Sequence, residues 1–108
     1  MHGDAKVLLS TLERGFVDFV REINRPLPQT NRPAGGRRVD CRWPEHKLTI
    51  ELDSYAFHNS RRAWELDRQR ERDARARGDE FRRFTWGDVF EDQRHMRREM
   101  LALLPECP

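Results

Sequence analysis

The alternating stretch RRVDCRWPEHKLTIELDS, residues 37–54, constrains the fold of this chain more than any other segment. Apolar residues occupy every second position before Pro44 and again after Lys47, and a period of two is typical of half-buried strands. The stretch therefore predicts a hairpin whose turn lies around residues 44–47. Its apolar positions are Val39, Cys41, Trp43, Leu48, Ile50 and Leu52.

The positions that alternate with the apolar residues of this hairpin include Asp40, Glu51 and Asp53, which suggests a site. A turn centred on residues 45–46 places Asp40 directly opposite Glu51, with Asp53 two residues further along. Opposed side chains have Cβ atoms about 4.5–5.5 Å apart, and like charges there are destabilising. Converging carboxylates form an oxygen-ligand site for a hard divalent cation such as Mg²⁺. The alternative is a solvated face on which basic neighbours neutralise the acids. Those neighbours are Arg38, Arg42 and Lys47.

The segments around the hairpin predict an α/β domain. Apolar residues recur at helical spacing over residues 4–24, strong helix formers fill 61–77, and a last helix is expected over 88–104. Residues 80–86 predict a further strand, and the Pro-rich connector before the hairpin has room for one edge strand. One domain over residues 1–108 is expected, with a mixed sheet of about four strands in the order α-β-β-β-α-β-α.

One acidic residue of the first predicted helix is a further candidate ligand. Glu13 falls inside the apolar stripe formed by Leu9, Phe16 and Val20. Burying a carboxylate is costly unless it is paired or ligates a metal. The alternative is a glutamate at the edge of the stripe that reaches solvent.

Charge and cysteine content alone do not identify a function. The formal net charge of +2 does not by itself predict a nucleic-acid partner. All but two of the 21 basic residues are arginine, which binds phosphate as a planar fork, although a genome that favours arginine codons explains this equally well. Cys41 and Cys107 lack metal-ligand spacing. Without a secretory leader or a long apolar run, a cytoplasmic protein that does not enter the membrane is expected.

Five short motifs occur in order along nearly the whole chain. They are LERGF at 12–16, VDCRWP at 39–44, IELDSYAFH at 50–58, DRQR at 67–70 and RFTWGDV at 83–89. Together they resemble the very-short-patch-repair (Vsr)-like endonuclease domains, in particular domain-of-unknown-function family 559, within the PD-(D/E)XK superfamily. The resemblance implies a restriction-endonuclease-like fold and metal-dependent hydrolysis of phosphodiester bonds in DNA.

The resemblance also implies roles for individual acidic residues and one histidine. Asp40 and Glu51 match the acidic ligands of Mg²⁺ or Mn²⁺, and Glu13 matches the helix-borne acid that some superfamily members add. Asp53 stands where many relatives carry the motif lysine, and is expected to join the metal site directly or through water. His58 matches a histidine that would orient or deprotonate the attacking water.

Basic residues complete the implied site. Asp67 and Arg70 match a charged pair on the following helix with a supporting role, and Arg83 matches an arginine that faces phosphate. Arg61 and Arg62 are the other residues expected to contact the DNA backbone, which positions a substrate without reading its sequence.

Two departures from the family pattern leave a second hypothesis open. Ser54 replaces the usual glycine after the aspartate, and no lysine follows Glu51. The chain is therefore either an active endonuclease or a catalytically inactive module of the same fold that binds nucleic acid or a protein partner. A homodimer would supply the two sites that double-strand cutting usually needs, and a longer multidomain parent is compatible with the resemblance.

Overall fold

The computed structural model describes residues 5–33, 37–54 and 61–108. It comprises helix α1 (Ala5–Glu22), strands β1 (Gln29–Asn31), β2 (Arg38–Trp43) and β3 (Leu48–Asp53), helix α2 (Arg61–Ala76), strand β4 (Glu80–Thr85), and helices α3 (Trp86–Phe90) and α4 (Arg94–Leu103). The predicted α/β class, the mixed sheet of four strands and the helices that flank it are confirmed. No helix within the described ranges is both long and apolar enough to cross a membrane.

The four strands form one mixed sheet in the order β1-β2-β3-β4. The first three strands are antiparallel neighbours, whereas β4 runs parallel to β3 because α2 carries the chain back across the sheet. A 3-10 turn over Pro44–His46 closes the β2–β3 hairpin, and Lys47 ends it in the left-handed conformation with φ of 49°. Asp40 pairs with Glu51 across this hairpin, which confirms the predicted register.

The two faces of the sheet differ in chemistry. The apolar face packs against α1, where Phe16 is fully buried with its ring centroid 6.3 Å from those of Trp43 and Phe84. The opposite face, here called the charged face, lies under α2. Its members on the three longer strands include Arg38, Asp40, Glu51, Asp53 and Arg83.

The prediction of one last helix over 88–104 is wrong, because α3 and α4 are separate. The hydroxyl of Thr85 accepts a hydrogen bond from the backbone N–H of Asp88, whose carboxylate accepts from the Thr85 N–H at 2.9 Å, so α3 begins with a capping box. The Asp92 carboxylate then accepts from the backbone N–H of Arg94 at 3.1 Å. This local bond competes with helical hydrogen bonding and separates the two helices.

Ser54, at the position where the resemblance implied a glycine, is accommodated without strain. Ser54 is not among the described residues with positive φ. Its backbone N–H and its hydroxyl both donate to the carbonyl oxygen of Arg37, at 3.0 and 2.8 Å. Ser54 therefore joins the two strands at the open end of the hairpin. The side chain of glycine could not form the second of these hydrogen bonds.

Candidate functional site

Glu51 is the centre of the charged face. It lies in the middle of β3 and is only 2% exposed. Arg70 of α2 donates to both of its carboxylate oxygens, from Nε at 2.7 Å and Nη2 at 2.9 Å, and Arg83 of β4 donates from Nε at 3.1 Å. The Nε of Arg38 lies 3.6 Å from the same carboxylate. Arg38, Arg70 and Arg83 are called the arginine cluster below.

The arginine cluster keeps Glu51 ionised. Burial alone would raise the pKa of this carboxyl group, but the hydrogen bonds and charge of Arg70, followed by those of Arg83, outweigh burial and lower its pKa. The pKa of Arg70 is raised in turn, chiefly by its hydrogen bonds to Glu51. Glu51 and Arg70 therefore form a bidentate, charge-assisted pair that fastens α2 to the sheet.

Asp40 faces Glu51 but differs from it in electrostatic environment. Its Oδ1 accepts a hydrogen bond from Arg38 Nε at 3.1 Å. The pKa of Asp40 is raised because burial, with a further contribution from the negative charge of Glu51, exceeds the opposing effect of Arg38. The two carboxylates line a small cavity of about 130 Å³ together with Thr49 and Arg70. They are thus brought together as predicted, but with pKa values shifted in opposite directions.

The expected convergence of Glu13 with these acids is not found. Glu13 binds Arg32 Nε at 2.8 Å and accepts a hydrogen bond from the Thr30 hydroxyl at 3.1 Å. Thr30 is the cross-strand partner of Cys41, so its side chain lies on the apolar side of the sheet. The sheet therefore separates Glu13 from the charged face. The helical stripe indicated which side of α1 is buried, but not which side of the sheet α1 covers.

Of the two remaining predicted site residues, Asp53 lies within the described part of the chain and His58 does not. Asp53 is 6% exposed and lies on the charged face two residues beyond Glu51, beside Arg38 in β2 and Thr85 in β4. His58 lies outside the described residues.

The donor set does not fit a divalent cation in this arrangement. Both oxygens of Glu51 already accept hydrogen bonds from guanidinium groups, and the three positive charges of the arginine cluster oppose a further cation. Across residues 5–33, 37–54 and 61–108, no group of three or more His, Cys, Asp or Glu side chains is placed to hold a metal ion.

The predicted supporting pair lies beside Glu51. Asp67 bonds the Arg70 guanidinium with its carboxylate, and its carbonyl oxygen accepts from Arg83 Nη2 at 3.3 Å. Arg83, expected to face phosphate, therefore directs its guanidinium to Glu51 and Asp67 instead. By contrast, Arg61 and Arg62 lie on the exposed surface of α2, and the side chain of Arg61 is 90% exposed.

Sequence analysis missed one buried acid, Asp79. Asp79 is 7% exposed and accepts hydrogen bonds from the Thr49 hydroxyl at 2.7 Å and from Arg42 Nη2 at 3.3 Å. Arg77 Nη2 lies 3.7 Å away. An aspartate after Gly78 is typical of a turn residue, and nothing in its local sequence indicated burial. Asp79 holds the C-terminal end of α2 to β3, as Glu51 holds its middle.

We expect Asp79→Ala to lower the free energy of unfolding by about 1–3 kcal/mol, because Thr49 and Arg42 lose their acceptor. Urea denaturation measures the change. Asp18→Ala is the matched control, since Asp18 forms an ion pair with Arg21 in which both side chains are more than half exposed. The control should change stability by at most about 0.5 kcal/mol. Equal effects of the two variants would contradict the structural role of Asp79.

Comparisons with known proteins found no relative of this chain. No family model, curated protein or solved structure matches the chain. The likeness to Vsr-like endonuclease domains therefore remains a prediction from the motifs.

Proposed function

We propose that this chain is a nucleic-acid-binding module of the restriction-endonuclease-like type, in which the acidic pair serves the structure and not catalysis. The observation that carries the proposal is the engagement of Glu51 by the arginine cluster. Removing those contacts to seat a metal ion would leave three guanidinium groups to be solvated again, and would free α2 from the middle of the sheet. We place the module in the cytoplasm, with DNA as its partner.

The binding surface that we propose is the outer side of α2. Five exposed residues of this helix are arginine, whereas two are acidic, Glu65 and Asp73. An excess of arginine on one helix favours phosphate contacts, which supply most of the affinity of sequence-independent binding. The exposed arginines are Arg61, Arg62, Arg68, Arg72 and Arg75.

We expect the chain to bind fluorescently labelled DNA in a fluorescence anisotropy titration, with the same affinity in EDTA and in millimolar Mg²⁺ at matched ionic strength. Replacing Arg61 and Arg62 together with alanine should weaken binding and reduce the slope of log K against log salt by about 2. Arg94→Ala is the matched control, since Arg94 is 88% exposed but lies on α4. Absence of DNA binding by the parent chain, or equal loss in the control, would refute the proposal.

A metal-dependent DNA endonuclease is the second candidate. The observation that favours it is the confirmed pairing of Asp40 with Glu51 beside a small cavity. A nicking assay on supercoiled plasmid, with Mg²⁺, Mn²⁺ or EDTA, separates the two candidates. We expect no cutting under any condition. Metal-dependent cutting that Glu51→Gln abolishes would overturn the binding-module proposal and support the enzyme.

A further inference from the structure

Trp64, in the first turns of α2, differs from the other two tryptophans because its side chain is exposed to solvent. Trp43 is 3% exposed and donates its indole N–H to the Pro26 carbonyl at 2.7 Å, and the ring of Trp86 lies 4.5 Å from that of Phe90. Trp64 is 56% exposed. A large aromatic side chain left open to solvent contributes little to the stability of the fold, and its apolar ring remains accessible to a ligand.

The surroundings of Trp64 are basic. It lines an open groove of about 390 Å³, and the described residues that line this groove all belong to α2. Three arginines and the apolar side chain of Leu66 share this groove, whereas Glu65 is the acidic residue among the lining side chains that the structure describes. The arginines are Arg62, Arg68 and Arg72.

The guanidinium of Arg68 lies over one face of the Trp64 ring. The guanidinium carbon lies 5.1 Å from the ring centroid, which is cation–π distance. Glu71, whose Oε1 lies 3.6 Å from Arg68 Nη1, helps to hold the arginine in place. Planar rings and guanidinium groups offer stacking faces that accept any base, and the surrounding positive charge attracts the phosphates between bases.

We propose that this groove binds single-stranded nucleic acid, with an unpaired base stacked on Trp64 and the flanking phosphates near Arg62 and Arg72. The inference rests on the proposed function and specifies its substrate. In a duplex the base faces are stacked on one another and are not available to an indole on a helix surface. An acidic peptide would satisfy the charge of the groove but lacks the π-faces that would use Trp64.

Fluorescence anisotropy with a labelled oligonucleotide, single-stranded or annealed to its complement, tests the inference. We expect the single strand to bind more tightly. Trp64→Ala should weaken single-strand binding about tenfold, within the range that loss of one stacked base produces, and leave duplex binding unchanged. Trp64→Phe should retain most of the affinity. Leu101→Ala is the control, because Leu101 is 43% exposed but lies on α4 outside the groove, and it should leave binding of both forms unchanged.

Intrinsic fluorescence provides a second measurement of the same contact. Binding of the single strand should quench the emission of the parent chain. Trp64→Phe should abolish this quenching, because Trp43 is buried and Trp86 lies on α3, outside the groove. If single strand and duplex bind alike and Trp64→Ala alters neither, the stacking site is refuted while the nucleic-acid-binding function stands. If no oligonucleotide binds, the proposed function itself fails. Quenching by polyglutamate equal to that by DNA would also overturn the base-stacking inference.

Discussion

Replacing Glu51 with alanine should lower the free energy of unfolding by about 3–5 kcal/mol, the range found when one member of a buried ion pair is removed. The variant leaves Arg70 and Arg83 in place without their acceptor, and both side chains are only about one quarter exposed. It also removes the contact that holds the middle of α2 on the sheet. Urea denaturation followed by circular dichroism measures the change.

Two control variants separate this effect from the loss of any carboxylate. Glu65→Ala removes an acid from an exposed pair with Arg61 and should change stability by at most about 0.5 kcal/mol. Asp40→Asn should cost little or stabilise the fold at neutral pH, because the raised pKa of Asp40 means that folding disfavours its charged form. If Asp40→Asn costs as much as Glu51→Ala, the assigned difference between the facing acids is wrong.

The pH dependence of the Glu51 effect has a definite sign. The pKa of Glu51 is lower in the folded chain than its ordinary value of 4.5, so its stabilising contribution is complete above that value. The contribution is lost as pH falls through the folded-state pKa. We therefore expect the stability difference between the parent chain and Glu51→Ala to be constant near neutral pH and to shrink below about pH 4.5. A difference that persists unchanged in acid would contradict this origin.

Phe16→Ala should also lower the free energy of unfolding by about 3–5 kcal/mol, through loss of buried apolar surface and formation of a cavity. Phe16 is fully buried, and its ring lies 6.3–6.5 Å from the rings of Phe19, Trp43 and Phe84. Such a loss is a large share of the roughly 5–15 kcal/mol that stabilises a typical domain. Urea denaturation again measures it.

Two further variants serve as controls for Phe16→Ala: a milder substitution of Phe16 and the truncation of an exposed residue. Phe16→Leu keeps most of the side-chain volume and should fold with a smaller loss even if Phe16→Ala does not fold. Val7→Ala truncates an apolar side chain on the same helix that is 59% exposed, so it should change stability by about 0.5 kcal/mol or less. An equal loss for Val7→Ala and Phe16→Ala would show that α1 does not pack on the sheet as described.

The hairpin could be predicted from sequence because its information is local. Alternation of apolar and charged residues sets which side chains share a face, and the short turn after Trp43 then leaves one register in which Asp40 meets Glu51. The separation of α3 from α4 was missed because apolar residues keep helical spacing through the break. At the break, the Asp92 carboxylate accepts from the Arg94 N–H and the Gln93 side chain donates to the Val89 carbonyl oxygen, and such bonds leave no trace in the apolar pattern.

The arginines that bind Glu51 could not be predicted from the periodic spacing of apolar residues. Arg70 lies 19 residues away and Arg83 lies 32 residues away. Their contact with Glu51 depends on how α2 docks over the parallel β3–β4 pair, which local sequence does not specify. The same limit explains the wrong placement of Glu13, since an amphipathic stripe is equally compatible with either side of a sheet.

The two layers that cover the sheet are attached by different forces. The layer containing α1 is held by a continuous apolar cluster, whereas Ala74 is the buried residue among the described side chains of α2. Ionic contacts through Glu51 and Asp79 fasten α2 instead. Detaching α2 would therefore hydrate charged groups and expose Ala74 and Phe81, while detaching α1 would open the main apolar core. The helix proposed to carry the ligand is thus attached to the sheet mainly by charge.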